Sequence, residues 1–240
     1  MKKNHLTVAT IFLSLLSTFL HAQDSTSTNT KNKPRQLDEV TISAVRSMKG
    51  MGYLDEVHNG IIYSGKKTEV IITDSIDANA ALNNPRQVMG RIPGAVFSET
   101  LGSGFPSNGV GFRGLDPTQS IETNTRMNGY NITADLYGYP EAYFLPNLEA
   151  VQRIEVIRGA SSLQFGPQFG GVINYIIREA PEKKFEFNTE QSTGSFGMFN
   201  SFNSIGGTYK WFSYYGYFQY THVSGWRPNS DYNQFSGYGK

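Results

Sequence analysis

Val151-Gln-Arg-Ile-Glu-Val-Ile-Arg-Gly-Ala-Ser-Ser-Leu-Gln-Phe-Gly-Pro-Gln-Phe-Gly-Gly-Val-Ile-Asn174 is the stretch whose pattern decides the architecture. Arg153 to Arg158 alternates apolar with charged side chains, the period-two signature of a strand. Gly159 to Gly171 is a turn-rich link. Val172 to Ile177 is mostly apolar and β-branched, which makes it a second strand. Upstream, Glu69 to Thr73 reads as a short apolar strand. Asn84-Pro85 opens a short helix, with Asn84 as cap and Pro85 in the first turn. Val88, Met89 and Ile92 share one face of that helix, and Pro93-Gly94 stops it. Ala95 to Ser98 resumes as strand, residues 101–125 are a long polar, Gly-rich stretch, and Asn147 caps a brief turn through Val151. Residues 45–181 thus read as one compact α+β domain.

After Pro181 the character changes. Phe185, Phe187 and Thr189 alternate with Glu186, Asn188 and Glu190. Further on, Phe212, Tyr214, Gly216, Phe218 and Tyr220 alternate with Trp211, Ser213, Tyr215, Tyr217 and Gln219. One set is aromatic and the other more polar, as a membrane β-barrel requires. A soluble β-sandwich is the competing reading. Between these runs, Met198 to Ile205 reads as a strand whose faces do not separate. Gly194-Ser195-Phe196-Gly197 and Gly206-Gly207 supply the turns.

The 240 residues carry 21 Lys+Arg against 20 Asp+Glu, which excludes a basic footprint for nucleic acid. Cysteine is absent, so disulfides, thiolate metal sites and thiol catalysis are excluded. Charged residues make up only 17% and aromatics 13%, a balance that suits a β-rich chain with aromatic surfaces. Residues 1–22 read as a secretory signal: Lys2 and Lys3, an apolar run from Leu6 to Leu20, and small Ala22 at the cleavage position. A short N-terminal anchor is the alternative. Residues 23–36 hold no large apolar residue and read as a flexible tether. Leu37-Asp38-Glu39-Val40-Thr41-Ile42-Ser43-Ala44 is then extended by its β-branched alternation. Such a segment can join a partner's sheet as an added strand, or be the first strand of the domain that follows.

Residues suited to reaction chemistry are few. Gly109-Val-Gly111-Phe-Arg-Gly114 matches a dinucleotide fingerprint, with Asp135 downstream. Pro117, however, falls where the helix should open, and close backbone packing explains the glycines equally. His58 and His222 have no neighbours at metal-ligand spacing. Asp38/Glu39 and Asp55/Glu56 are adjacent pairs that point apart on a strand. Asn131-Ile-Thr133 matches a glycosylation acceptor, a tripeptide that arises by chance. The residues make no positive case for an enzyme.

The stretch from Val151 to Asn174 resembles the plug domain of TonB-dependent outer-membrane receptors. Arg153 to Gly159 match that family's R-I-E-V-x-R-G, Phe165-Gly166 stands for its Y-G, and Gly170 to Asn174 match G-G-V-I-N. Phe112-Arg113-Gly114-Leu115 resembles I-R-G-L, Arg126-Met-Asn128-Gly129 stands at L-L-D-G, and Ile92 to Val96 resembles the P-G-V signature. Leu37 to Ala44 resembles the TonB box. Tyr137-Gly138-Tyr139-Pro140 and Phe165 to Gly171 resemble ferric dicitrate-type receptors.

The resemblance implies an α+β plug domain followed by the first antiparallel strands of a transmembrane β-barrel. Residues 182–240 allow only three strands and part of a fourth, against about 22 in such transporters. The expected organisation is signal peptide 1–22, tether 23–36, TonB box 37–44, plug 45–181 and barrel from 182. The implied partners are TonB with its inner-membrane energising complex, a ferric chelate and outer-membrane lipid. Iron enters only as part of the cargo, with no resident cofactor or metal. The implied function is TonB-dependent uptake of a ferric chelate, an iron(III) citrate-like siderophore, in the outer membrane of a Gram-negative bacterium, with plug and box facing the periplasm. Another siderophore, cobalamin or a glycan as cargo, or a passive binding protein of the same fold, are the alternatives. Leu37, Asp38, Glu39, Val40, Thr41, Ile42 and Ser43 would bind TonB. Arg113 and Arg158 would pair with carboxylates of the barrel wall. Gln119, Thr123, Asn124, Arg126, Tyr137 and Tyr139 would meet the chelate, with Arg126 as the plug cation free to face it.

Overall fold

The computed structural model describes residues 47–58, 60–63, 68–98, 109–117, 122–132, 144–166 and 168–240. The signal peptide, the tether, the box from Leu37 to Ser43, and Gln119, Tyr137 and Tyr139 lie outside the described residues. The Arg153–Arg158 pattern forms β10 (Val151–Ile157), and the apolar run after it forms β11 (Gly171–Ile177). The two pair antiparallel, with Glu155 opposite Asn174 and Val156 opposite Ile173. The recognised motif is therefore a cross-strand constellation. Asn174 Nδ2 donates to Glu155 Oε2 (2.9 Å), and Arg153 Nε donates to Glu155 Oε1 (2.9 Å). Asn174 Oδ1 accepts from the Gly129 amide (2.9 Å), so the same asparagine holds a turn of the next strand pair.

Around this hairpin lies a seven-stranded mixed sheet. Its other members are β1 (Ser47–Met48), β2 (Met51–Gly52), β5 (Thr68–Ile72), β8 (Thr123–Met127) and β9 (Tyr130–Asn131), in the order β1-β2-β5-β10-β11-β8-β9. Only β8 and β11 run parallel. From Ile154 onward β10 is buried on both faces, so the period-two pattern marks a strand without marking a solvent face. The remaining plug strands form two small pairs, β3 (Val57–His58) with β4 (Ile61–Ile62), and β6 (Ala95–Ser98) with β7 (Gly109–Phe112).

Helix α1 (Pro85–Met89) begins as expected: Asn84 Oδ1 accepts from the Arg86 amide (2.9 Å) and Pro85 fills the first turn. It ends at Gly90, sooner than Pro93-Gly94, yet Val88, Met89 and Ile92 all enter the core. Asn147 precedes the 3-10 turn Leu148–Ala150 but makes no side-chain cap; its amide is turned elsewhere. The Gly-rich stretch also holds more structure than its composition suggests. β7 pairs along β6, with Ala95 opposite Phe112 and Ser98 opposite Gly109. A Cβ on Gly111 would collide with the Leu115 carbonyl, so the glycine pattern reflects close backbone packing.

A second sheet, the wall, is an antiparallel meander of β12 (Glu186–Thr193), β13 (Phe199–Tyr209), β14 (Phe212–Val223) and β15 (Tyr232–Gly239). Gly194 to Gly197 makes a turn as expected, but Gly206-Gly207 does not: both lie buried inside β13. A Cβ on Gly207 would run into the Lys184 carbonyl, so these glycines let the incoming chain cross close to the strand. The turn comes at Lys210-Trp211, where Lys210 takes φ +54. The faces of β13 do separate: Asn200, Phe202 and Ser204 are buried, and Phe199 and Ile205 are exposed. They looked mixed because each face carries both kinds of side chain: Phe202 lies between Asn200 and Ser204 on the buried face, and Ser201 and Asn203 lie between Phe199 and Ile205 on the other.

Phe187, Phe212, Phe218 and Phe235 also point outward and are exposed, whereas Tyr215, Tyr217, Gln219 and Thr221 face the plug and are buried. Phe202, Tyr215 and Tyr217 share a continuous core with Ile71, Leu148, Ile154 and Tyr175 of the plug. Trp211 and Tyr209 sit at one end of the hairpins and Trp226 at the other, where aromatic girdles stand. The 12 residues of β14, at roughly 3.4 Å each and tilted by about 40°, rise about 30 Å, enough for the apolar band of an outer membrane. Among the described residues no helix is long and apolar enough to cross a membrane.

Candidate functional site

Three expected ligand residues share β8. Thr123 and Asn124 are buried and Arg126 is half-buried. Arg126 Nε donates to Asn124 Oδ1 (2.8 Å), one terminal nitrogen donates to the Gly129 carbonyl (2.5 Å), and the other donates to the Phe165 carbonyl (2.7 Å). The guanidinium also lies 5.1 Å from the centre of the Phe165 ring. Asn124 Nδ2 reaches Gln168 Oε1 (3.3 Å), and Thr123 Oγ1 is buried without a partner among the described residues. Arg126 therefore ties β8 to the β8–β9 turn and to the 3-10 segment Gly159–Phe165. Three of its five N–H groups are spent in doing so, and among the described residues one on each terminal nitrogen has no acceptor. Phe165 and Gln168 complete the cluster. Both belong to the Phe165–Gly171 stretch already singled out, but no local pattern couples them to Arg126.

Arg158 is buried in the plug. It pairs with Glu69 of β5, donates to the Pro93 carbonyl (2.9 Å) and lies over the Phe112 ring (5.6 Å). Burial pushes the Glu69 carboxyl up, while Arg158 beside it and Arg113 further off pull it back. Arg113 is exposed at the end of β7, with φ +58. Among the described residues neither arginine contacts β12–β15; the carboxylate that Arg158 meets is the plug's own.

The observed contacts between plug and wall are mostly uncharged. Asn128 Nδ2 donates to the Tyr238 hydroxyl (3.0 Å), Asn147 Nδ2 to Ser236 Oγ (2.8 Å) and Asn200 Nδ2 to Glu149 Oε1 (2.7 Å). Lys240 pairs with Glu179 at 2.9 Å. Reasoning from charge alone misses this seam, because amides carry no periodic signal.

Residues 63–172 match the family model of the TonB-dependent receptor plug domain. This chain carries a TonB-dependent receptor plug. The solved structure of a copper transporter, OprC, is similar, with TM-score 0.56, 16% identity, and coverage of 75% of this chain and 28% of that one. The pyoverdine-bound receptor FpvA of P. aeruginosa is similar with TM-score 0.50, 22% identity, and coverage of 67% and 20%. The ferric enterobactin receptor PfeA of Pseudomonas aeruginosa matches with TM-score 0.48, 21% identity, and coverage of 67% and 25%. The chain thus spans about a quarter of the length of the receptors it matches first, and at these identities the likeness speaks for the fold. The α+β plug is followed by the first antiparallel strands of a β-barrel. The plug's polar seam meets the inner face of those strands, and their aromatic face points away.

Proposed function

We propose that the chain is part of an outer-membrane importer, energised by TonB, that takes up a metal chelate. The observation that carries this reading is a receptor plug packed on the polar face of an antiparallel sheet whose other face is aromatic. In this reading the chelate binds above the plug, and Leu37 to Ser43 then serves TonB in the periplasm as an added strand. Pulling shifts or partly unfolds the plug so that the cargo passes. Positioning and mechanical work suffice, with no covalent step, so the protein acts as a transporter and not an enzyme.

Ferric citrate is the cargo favoured by the motifs at Tyr137–Pro140 and Phe165–Gly171. Thr123, Asn124 and Arg126 stand together at the buried end of the proposed site, with Gln119, Tyr137 and Tyr139 as its further members. The two N–H groups of Arg126 without an acceptor among the described residues suit a carboxylate. Arg113 and Arg158 keep a proposed role at wall carboxylates outside β12–β15. The test is Ile42→Pro in the complete receptor, which removes a ladder donor from the box. Energised uptake of labelled ferric citrate should vanish while surface binding persists. Uptake at the parental rate would overturn the box assignment. Uptake competed by copper or another siderophore, and not by ferric citrate, would keep the transport reading and replace the cargo.

A further inference from the structure

The turn Leu148–Ala150 is fastened to three successive wall strands by one unbroken run of hydrogen bonds. Asn147 Nδ2 donates to Ser236 Oγ on β15 (2.8 Å), and Ser236 Oγ donates to Gln219 Oε1 on β14 (3.2 Å). Gln219 Nε2 donates to Asn200 Oδ1 on β13 (2.7 Å), and Asn200 Nδ2 donates to Glu149 Oε1 (2.7 Å). Thr221 Oγ1 also donates to Asn200 Oδ1 (2.8 Å). The run leaves the plug at residue 147 and returns at residue 149. Along the run each wall side chain receives a hydrogen from the one before and gives one to the next, Asn200 receiving a second from Thr221, so the direction is set and the run ends on a carboxyl.

That carboxyl is poorly placed to carry charge. Glu149 is 7% exposed, and its Oε2 is buried without a partner among the described residues. It lines a cavity of about 580 Å³ between plug and wall, through which a proton can reach it. Among the described residues, the groups facing the cavity offer its carboxyl no unpaired cation. From the plug, Arg178 gives its two terminal nitrogens to Asp74 (2.5 and 2.7 Å) and its Nε to the main-chain carbonyl of Glu149 (2.9 Å), and Glu179 is paired with Lys240. From the wall side, Glu186 is held by Lys183 (2.8 Å), Glu182 adds negative charge, and Glu190 repels Glu149 directly. Tyr215 and Tyr217 of β14 are neutral neighbours.

We propose that Glu149 is a proton-operated clamp: protonated, it holds the 147–150 turn of the plug against β13–β15, and ionised, it lets the turn go. Burial, aided by Glu190, pushes the docked carboxyl up to about 7, whereas a released, hydrated turn restores the ordinary 4.5. The docked state therefore binds the proton more tightly. Docking is fully favoured below pH 4.5, weakens about tenfold per unit as pH rises towards 7, and levels off above it.

The clamp rests on the four-stranded sheet being the barrel wall and is indifferent to cargo, so its failure leaves the transport reading standing. The test is hydrogen–deuterium exchange of amides 147–151 in the complete receptor in outer-membrane vesicles. It is run at pH 5.5 and 7.5, with each rate corrected for its chemical pH dependence. Opening should be about twentyfold more frequent at pH 7.5. Glu149→Gln should make the two pH values equal, and Glu190→Gln should move the midpoint down. A corrected difference below threefold in the parent overturns the proposal, as does a pH step that survives Glu149→Gln. Should the glutamine variant fail to assemble, an unmoved midpoint in Glu190→Gln overturns it equally.

Discussion

Replacing Arg158 by methionine keeps the aliphatic stem and removes the guanidinium. Arg158 and Glu69 are each 9% exposed, so the change leaves a carboxylate inside the plug with its partner gone. Breaking a buried pair from one side costs about 3–5 kcal/mol. Glu69 can escape by taking up a proton, and that sets a ceiling. From an ordinary value of 4.5, protonation at pH 7 costs about 3.4 kcal/mol, and at pH 5 only about 0.7, at 1.36 kcal/mol per unit. Loss of the bond to the Pro93 carbonyl adds about 1.5–3 kcal/mol at either pH. Arg158→Met should therefore destabilise the plug more at pH 7 than at pH 5, by at most about 2.7 kcal/mol, because the upward push that Glu69 already feels in the parent takes up part of the difference. Adding Glu69→Gln should erase the difference. Pulse proteolysis of the membrane-embedded receptor across a urea series reads this directly. A loss equal at both pH values, or one undiminished in the Glu69→Gln background, would refute the intraplug pair and point to a wall carboxylate as the partner that matters.

Arg126→Ala should weaken chelate binding and also loosen the plug, by about 1.5–3 kcal/mol, because the side chain bridges Asn124, Gly129 and Phe165. Lysine should not rescue it, since one ammonium cannot span all three acceptors; affinity lost with urea resistance unchanged would make Arg126 a ligand contact alone. Gly207→Ala should cost about 1–3 kcal/mol by driving a Cβ into the Lys184 carbonyl, a backbone atom that cannot swing aside. The yield of folded, heat-modifiable receptor should drop accordingly, and an unchanged yield would contradict the close crossing.

What could be read from the sequence was local. The cap at Asn84, the two strands around Gly159–Gly171 and the aromatic alternation of β14 each depend on neighbours a few residues away, and each appears where expected. What could not be read depends on partners far along the chain. β7 is a strand because β6 lies beside it, although its glycines argue for a loop. β13 runs on through Gly206-Gly207 because another segment crosses there. Arg126 looks free in the sequence because two of its acceptors are main-chain carbonyls, one of them 39 residues away. Glu149 carries no motif at all; its meaning comes from Asn200, 51 residues on.

The strand order places β1 and β2 at the margin of the seven-stranded sheet, with the longer β10 and β11 in its interior. Each marginal strand is only two residues long, and among the described residues β1 pairs with a single neighbour. A tensile load entering from the N-terminal side would meet these strands first and would never have to extract a strand from between two others. Rupture proceeds by peeling, a few hydrogen bonds at a time, and the force at any moment stays small. Straightening residues 47–52 pays out about 20 Å of chain before the load reaches β5 and the hairpin behind it. The sheet margin thus behaves as a mechanical fuse, and the interior pairing sets how far the tear can run.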